Sequence, residues 1–439
     1  MNRDLISELA EWIAIPSVSA DPDRAGDVER AGEWLAEKIR EAGGEAERID
    51  WYGQPLVVGE IAASGGGKAP TVLCYGHFDV QSAAPLDLWE SDPFALVQRD
   101  GWLYGRGAAD DKGQLLILLE AVRSLARERA LPVNVRFACD GEEEVGGHSI
   151  IDFLAADERG ADACLIFDIA MIERDVPVFT TASRGLAYFH LELLSGERDL
   201  HSGVYGGAAM NALHALVQTL AAVLPDGGSL PEPLLEGVVP PSADELASIA
   251  ALPAGAGVLA EQGARPSDPG AEADFYLRTC ALPALDLNGI EGGSPHLQKT
   301  VLPVKAEANL SIRLAPGQDP EKIARVLERL LREAVPTGAE LRLQLLSASP
   351  PGLVDQDAPA IQLALAAFER SFGRRPLLVR IGGTVPIIHA LESAGIPAIV
   401  TGFDLPDGNT HSPNERFWAG YVEPGIAAAR EILSELGKL

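Results

Sequence analysis

Several apolar segments of the chain end in histidine or carboxylate side chains. His77 and Asp79 follow the apolar run TVLCYG, and Asp168 follows ACLIF. The other polar residues that end or follow such runs are Asp110, Asp111, Glu142, Glu143, Glu144 and His411. In open α/β sheets, ligands bind beyond the carboxyl ends of the strands. The spacing therefore predicts that these side chains converge at one edge of a sheet.

Carboxylates gathered at one edge would raise one another's pKa values unless cations lay among them. Imidazole and carboxylate without thiolate form a ligand set that suits zinc, and also manganese or cobalt. Two ions could share one carboxylate, and each would have a histidine and one further carboxylate, with room for a bridging water. Two ions about 3.5–4 Å apart lower the pKa of such a water and stabilise a tetrahedral oxyanion. These residue types thus indicate a hydrolase.

Each motif alone also has an ordinary explanation, because an HxD pair or an EEE run is typical of a solvated turn or a helix start. Cys74, Cys139 and Cys164 lie inside apolar runs and are interpreted as core residues. The histidines without a comparable setting are interpreted as structural or surface residues, namely His148, His190, His214, His296 and His389.

Apolar runs and helical periodicity alternate between about residues 70 and 168. PTVLCY, VNVRFAC and ADACLIF are typical of buried strands, and DKGQLLILLEAVRSLARER of an amphipathic helix. This alternation indicates a mostly parallel sheet with helices on both faces. PAIQLALAAFERSF and IPAIVTGF repeat the pattern near the C-terminus. We therefore predict an α/β catalytic domain built from residues 1–183 and 348–439.

The chain between these two parts has a different pattern. RGLAYFHLELLS, TVLPVKAEANLSIRLAP and ELRLQLLS contain strands that alternate with a period of two, and GAAMNALHALVQTLAAVL and DPEKIARVLERLLREAV are helical. This pattern predicts an inserted α+β domain with an antiparallel sheet at residues 184–347. Within it, residues 225–275 are rich in Pro, Gly and Ala and predict a long, partly helical excursion.

Composition and charge argue against several classes of partner. The 439 residues include 64 acidic and 35 basic side chains, and the net charge of −29 would repel nucleic acid and anionic lipid surfaces. The four cysteines form no CxxC pair, as expected in a reducing compartment. MNRDLISELAEWIAIPS lacks the apolar stretch of a signal peptide, and polar residues interrupt the most apolar long segment, 208–224. We expect a cytoplasmic protein that binds neither nucleic acid nor membranes.

Eight motifs occur in the order found in one enzyme family. They are GHFDVQ, GRGAADDKG, GEEEVGGHS, LIFD, DLHSGVYGG, SIRLAPG, GGTVP and HSPNE. Over nearly its whole length the chain resembles the dinuclear-zinc metallopeptidases related to carnosine and cytosolic non-specific dipeptidases, aminoacylase, acetylornithine deacetylase, succinyl-diaminopimelate desuccinylase and carboxypeptidase G. DLHSGVYGG, KTVLP and SIRLAP are most similar to the dipeptidase branch.

The resemblance implies two divalent metal ions, zinc in the first place, with manganese or cobalt as alternatives. His77, Asp110 and Asp168 would bind one ion. Asp110, Glu144 and His411 would bind the other, so that Asp110 bridges the two.

The same resemblance assigns roles beside the ligands. Glu143 would be the general base that takes a proton from the bridging water and returns it to the leaving nitrogen. Asp79 would orient the His77 ring. A cis peptide bond is also implied between Asp110 and Asp111.

For the substrate, the resemblance implies that His201 of the inserted domain polarises the scissile carbonyl in the neighbouring subunit, within a homodimer formed through this lid and dimerisation domain. Arg313 would bind the substrate's carboxylate, and Gly383 and Thr384 would line its backbone. Ile381 departs from the pattern, since the dipeptidases carry a glutamate there. Recognition of a free amine is therefore open.

The function expected from these residues is hydrolysis of the amide bond of dipeptides or short peptides. An N-acyl-amino-acid deacylase or amidohydrolase of the same fold is the alternative, and the departure at Ile381 keeps it open. A third interpretation is a non-catalytic, dimeric binding protein. The presence of a suitable residue at every ligand position, and of Glu143, argues against that interpretation.

Overall fold

The computed structural model describes residues 3–66 and 68–439. The chain forms two compact units. Unit 1 contains Met1–Thr181, Val354–Val379 and Ala390–Leu439, and unit 2 contains Ala182–Leu353 and Arg380–His389.

The helices are α1 (Arg3–Ile13), α2 (Ala25–Glu41), α3 (Lys112–Arg127), α4 (Ser149–Ala156), α5 (Ser202–Tyr205), α6 (Ala212–Ala221), α7 (Ala243–Ile249), α8 (Gly255–Glu261), α9 (Pro320–Ala334), α10 (Pro359–Phe372), α11 (Pro386–Ser393) and α12 (Val422–Leu436). The strands are β1 (Glu45–Trp51), β2 (Gln54–Ile61), β3 (Thr71–Tyr75), β4 (Val97–Arg99), β5 (Trp102–Tyr104), β6 (Asn134–Asp140), β7 (Ala163–Phe167), β8 (Val178–Ser183), β9 (Gly185–Leu194), β10 (Leu200–His201), β11 (Ala284–Gly292), β12 (Val301–Leu302), β13 (Lys305–Leu314), β14 (Glu340–Ser349), β15 (Gly352–Leu353), β16 (Leu377–Ile381), β17 (Ala398–Thr401) and β18 (Arg416–Trp418).

Unit 1 is built on a mixed sheet of order β1-β2-β6-β3-β7-β17-β8. The four neighbours β6, β3, β7 and β17 are parallel, and the adjacent strands β2 and β8 are antiparallel to them. The parallel strands are apolar and almost wholly buried, as expected for strands covered on both faces. The predicted α/β fold is confirmed. Strand β1 was not predicted from the sequence, because it is an edge strand with mostly charged residues.

The carboxyl ends of the parallel strands lead directly to the candidate ligands. His77 lies two residues after β3, Asp168 immediately follows β7, and a short 3₁₀ helix, Glu143–Val145, follows β6. Asp110 precedes α3, which packs against α1 and α12. Parallel strands end at a common edge of the sheet, so the topology gathers these residues in unit 1.

Unit 2 contains an antiparallel sheet of order β11-β13-β9-β14. Alternate residues of β9 and β13 are buried, and the buried face packs with α6 and α9 into an apolar core. This arrangement confirms the predicted α+β part of the fold. Strand β11 escapes prediction because it is mostly exposed and its register shifts between Leu287 and Gly289, which breaks the alternation.

The excursion at residues 225–275 is partly helical, as predicted, and contains α7, α8 and the 3₁₀ helix Glu232–Leu235. Helix α6 begins later than its apolar pattern suggests, because the Asn211 side chain accepts the backbone N–H groups of Leu213 and His214 and caps it. Within residues 3–66 and 68–439, none of the helices has the length and apolar character needed to cross a membrane.

Candidate metal centre

His77 lies at the centre of a group of carboxylates in unit 1. Its side chain is 1% exposed, and Nε2 lies 2.9 Å from Oδ1 of Asp110 and 3.6 Å from Oδ1 of Asp168. The second ring nitrogen, Nδ1, lies 3.1 Å from the Asp79 carbonyl oxygen. Nε2 of the ring therefore faces the carboxylates, and Nδ1 contacts the backbone carbonyl of Asp79.

His411 contacts the other carboxylate oxygen of Asp110. Its Nε2 atom lies 2.8 Å from Oδ2 of Asp110 and 3.1 Å from Oε2 of Glu144. Asp110 thus uses one carboxylate oxygen for His77 and the other for His411. Donor atoms that share a tetrahedral zinc ion, each about 2.0–2.1 Å from the metal, lie about 3.3 Å apart. The spacings at both histidines fit donors that share an ion.

Hydrogen bonds to carboxylates raise the pKa values of both histidines in this cluster. Burial lowers the pKa of His77, but hydrogen bonds to Asp110 and neighbouring carboxylates raise it well above its ordinary value. Hydrogen bonds to Asp110 and Glu144 raise the pKa of His411 to about 10. Because an imidazole must be neutral to bind a metal, a divalent ion here would displace a proton from each ring. The donor set therefore fits divalent ions.

Asp111 is a further oxygen donor that the sequence did not single out as a ligand. Donor atoms of His77, Asp110 and Glu144 lie within 4.8 Å of one another, and so do those of His77, Asp111 and Asp168. However, Oδ2 of Asp111 already accepts the backbone N–H of His77 at 3.1 Å. We favour Asp110 as the ligand because both of its oxygens face histidines. The bond between Asp110 and Asp111 is a cis peptide, as the resemblance implies.

Asp79 connects the His77 loop to the glutamates after β6. It is fully buried, and its carboxylate lies 3.4 Å from Nδ1 of His77. The same carboxylate accepts the backbone N–H groups of Glu143 and Glu144, at 3.3 and 3.1 Å. Asp79 therefore fixes a candidate ligand, a candidate base and a histidine relative to one another.

The Glu143 carboxyl differs from its neighbours in having no committed partner. In the described part of the chain it forms no hydrogen bond or ion pair. Burial, with the nearby charges of Asp168, Asp110 and Glu144, raises the pKa of Glu143 to about 8. A carboxyl group with a pKa near neutrality can both accept and return a proton.

Four other predicted site residues lie in unit 2. Arg313 is on β13, and its Nη1 donates to Oγ1 of Thr384 at 3.0 Å, so two predicted substrate residues are in contact. Gly383 is exposed beside Thr384. His201 ends β10, is exposed, and its Nδ1 accepts the N–H of Gly203 at 2.9 Å.

The model of peptidase family M20/M25/M40 matches residues 73–435. The chain belongs to this family. A cysteinylglycine-S-conjugate dipeptidase of Corynebacterium striatum is 28% identical, over 100% of this chain and 96% of the relative. The family expected from the motifs is confirmed, and the chain is a metallopeptidase.

Two solved structures are similar to the chain over nearly its whole length. Human carnosine dipeptidase 1 has 26% identity and a TM-score of 0.73, over 99% of this chain and 96% of that one. A metallo-carboxypeptidase of Sulfolobus solfataricus has 24% identity and a TM-score of 0.81, over 100% of both chains. The second likeness shows the fold alone.

This peptidase also has a buried carboxylate, Glu415, that contacts the Asp110 loop, which is residues 105–111. Its oxygens accept the N–H groups of Gly107, Ala109 and Asp110 at 2.9–3.2 Å. One oxygen also pairs with Nη1 of buried Arg106 at 2.6 Å. Glu415 thus links the loop that carries Asp110 to the loop that carries His411, a candidate ligand four residues before Glu415. Glu415 is the acidic residue that ends the HSPNE motif, and it was not among the predicted site residues.

Proposed function

We propose that this peptidase hydrolyses the amide bond of dipeptides or short peptides by means of two divalent metal ions, of which zinc is the first candidate. The proposal rests chiefly on Asp110, whose two oxygens face two different histidines at 2.9 and 2.8 Å. The dipeptidase named above, similar over the whole chain, supports this substrate class.

In this proposal, the ligands of one ion are His77, Asp110 and Asp168. Those of the other are Asp110, Glu144 and His411. Bound ions of this kind polarise a carbonyl and make water a nucleophile near neutral pH.

Glu143 is proposed as the general base. Its uncommitted carboxyl and its raised pKa, about 8, suit a group that takes a proton from water and passes it to the leaving nitrogen. Asp79 would position both this glutamate, through its backbone N–H, and the His77 ring.

Unit 2 is proposed to bind the substrate and to form a homodimer. The planar guanidinium of Arg313 suits a bidentate contact with the substrate's carboxylate. Thr384 already accepts a hydrogen bond from it, and Gly383 beside Thr384 leaves the substrate backbone room to approach. His201, which is exposed on unit 2, would act on the carbonyl in the partner's site, and unit 2 would serve as the lid.

Deacylation of N-acyl amino acids is the second candidate function. It is favoured by Ile381, a half-buried apolar residue that offers no negative charge to a substrate ammonium group. The two functions differ in the nitrogen substituent that the enzyme accepts and share the same metal chemistry.

The test is a substrate panel with metal-free protein reconstituted with zinc, manganese or cobalt. We expect metal-dependent hydrolysis, faster on free-amine dipeptides than on the matching N-acetyl amino acids. Faster hydrolysis of the N-acetyl compounds would replace the first function by the second. Inactivity on both classes in protein that holds its metals would contradict both.

A further inference from the structure

Strand β16 leads into the loop that carries Gly383 and Thr384, and the last residue but one of this strand, Arg380, is buried. The Arg380 side chain is 2% exposed and forms a two-pronged ion pair with Glu245, at 2.9 Å from Nε to Oε1 and 3.0 Å from Nη2 to Oε2. It also donates to the carbonyl oxygens of Val239 and Pro240, at 2.7 and 2.9 Å. The guanidinium is therefore enclosed by the excursion at residues 225–275.

Glu245 is itself fixed within the excursion. Its side chain is 1% exposed, and Oε2 accepts the backbone N–H of Ser242 at 2.6 Å. In return, Oγ of Ser242 accepts the N–H of Glu245 at 3.2 Å, which completes a capping box at the start of α7. One carboxylate therefore both caps a helix and holds Arg380.

A second arginine holds the loop from the other side. The Nε atom of Arg184 donates to the Gly382 carbonyl at 3.0 Å, and its backbone N–H donates to that of Ile381 at 3.2 Å. A Cβ atom on Gly382 would lie 2.4 Å from the carbonyl oxygen of Thr279, so only glycine fits this approach. Residues 380–382 are thus fixed directly before Gly383 and Thr384, and Thr384 contacts Arg313.

We propose that the pair of Glu245 and Arg380 positions the Gly383–Thr384 loop for the carboxylate end of the substrate. The excursion is then a specificity element, and Glu245 and Arg380 are positioning residues. A buried ion pair gives little net stability over apolar residues of similar volume, so its geometry is the better reason for its presence. This inference rests on the proposed roles of Arg313 and Thr384.

The test compares KM and kcat for one dipeptide and its C-terminal amide. Two variants disturb the pair in different ways. Glu245→Asp keeps the charge and shortens its reach, whereas the double variant Glu245→Met with Arg380→Met removes both charges and leaves neither one buried alone. Glu321→Gln, which removes an exposed partner of Arg325 on α9, is the control. Metal content and the thermal midpoint are measured in the same preparations.

For the dipeptide acid, we expect KM to rise about threefold in Glu245→Asp and about tenfold in the double variant, because a contact made equally in the ground state and the transition state affects KM and leaves kcat unchanged. The KM of the amide, the kcat values and the metal content should change less than about twofold. An unchanged acid-to-amide ratio of KM would overturn the inference, whether or not the thermal midpoint falls. A wild type that does not distinguish acid from amide would instead overturn the proposed carboxylate site, and this inference with it.

Discussion

Asp110 is the residue on which the chemistry of the cluster depends. Its carboxylate faces His77 through one oxygen and His411 through the other, while its backbone N–H donates to Glu415. Although burial raises the pKa of Asp110, the hydrogen bonds from His411 and His77 hold it below its ordinary value. The carboxylate is therefore ionised and available to two cations at once.

Glu143 and His411 should respond to substitution in opposite ways. Glu143→Gln removes the proton acceptor and leaves the ligands intact, so we expect full metal content and a kcat lowered by about 10²–10⁴-fold. His411→Ala removes a ligand, so metal content should fall. Elemental analysis of the two variants, purified in parallel, gives the comparison. Loss of metal from the first variant and retention in the second would exchange the two roles.

Arg313 should matter according to the charge of the substrate's C-terminus. Arg313→Ala is expected to weaken transition-state binding of a dipeptide acid by about 1.5–3 kcal/mol, the range for hydrogen bonds to charged groups. The C-terminal amide should lose much less. The measurement is kcat/KM for both substrates, with Arg325→Ala on the exposed face of α9 as a matched control. Equal losses on acid and amide would remove Arg313 from this role.

At the scale of elements, one loop carries the candidate ligand Asp110, and a second loop, which contains Glu415, fixes its position. Glu415 accepts the backbone N–H groups of Gly107, Ala109 and Asp110 and follows His411 by four residues. These hydrogen bonds link the loop that carries Asp110 to the loop that carries His411.

Glu415→Gln should consequently weaken metal binding without removing a ligand. We expect the apparent affinity for zinc to fall about 10–100-fold, as for other groups that orient ligands. A competition titration with a chelator measures this affinity, and Glu431→Gln on α12, an exposed partner of Arg370, is the control. An affinity equal to that of the control would show that the Asp110 loop holds its own shape.

The elements were predictable where local pattern reflects burial. The parallel strands are continuous apolar runs, and β9 and β13 alternate, so the sheet types followed from the sequence. The gathering of His77 and Asp168 followed from the positions of strand ends. Contacts between distant segments left no local pattern. Glu415 meets Gly107 across 308 positions, and Arg380 meets Glu245 across 135.

At the scale of the whole molecule, the proposed homodimer makes each site depend on two chains. His201 lies in unit 2, whereas the candidate ligands lie in unit 1. In a two-fold dimer each chain can give its His201 to the other.

Complementation tests this exchange. His201→Ala and Glu143→Gln homodimers should both be nearly inactive, since every site lacks one group. In a mixed dimer, the site with intact Glu143 receives an intact His201. Random pairing gives about half mixed dimers with one competent site each, so co-expression should recover roughly a quarter of wild-type activity. Background activity in demonstrated mixed dimers would place His201 within its own chain's site.

The bridging role of Asp110 is tested most directly by anomalous X-ray diffraction at the zinc edge from crystals of zinc-loaded wild-type protein. We predict two peaks about 3.5–4 Å apart, one beside each Asp110 oxygen, with His77 at one and His411 at the other. A single peak, or a pair of ions that both bind Asp111 in place of Asp110, would contradict the account.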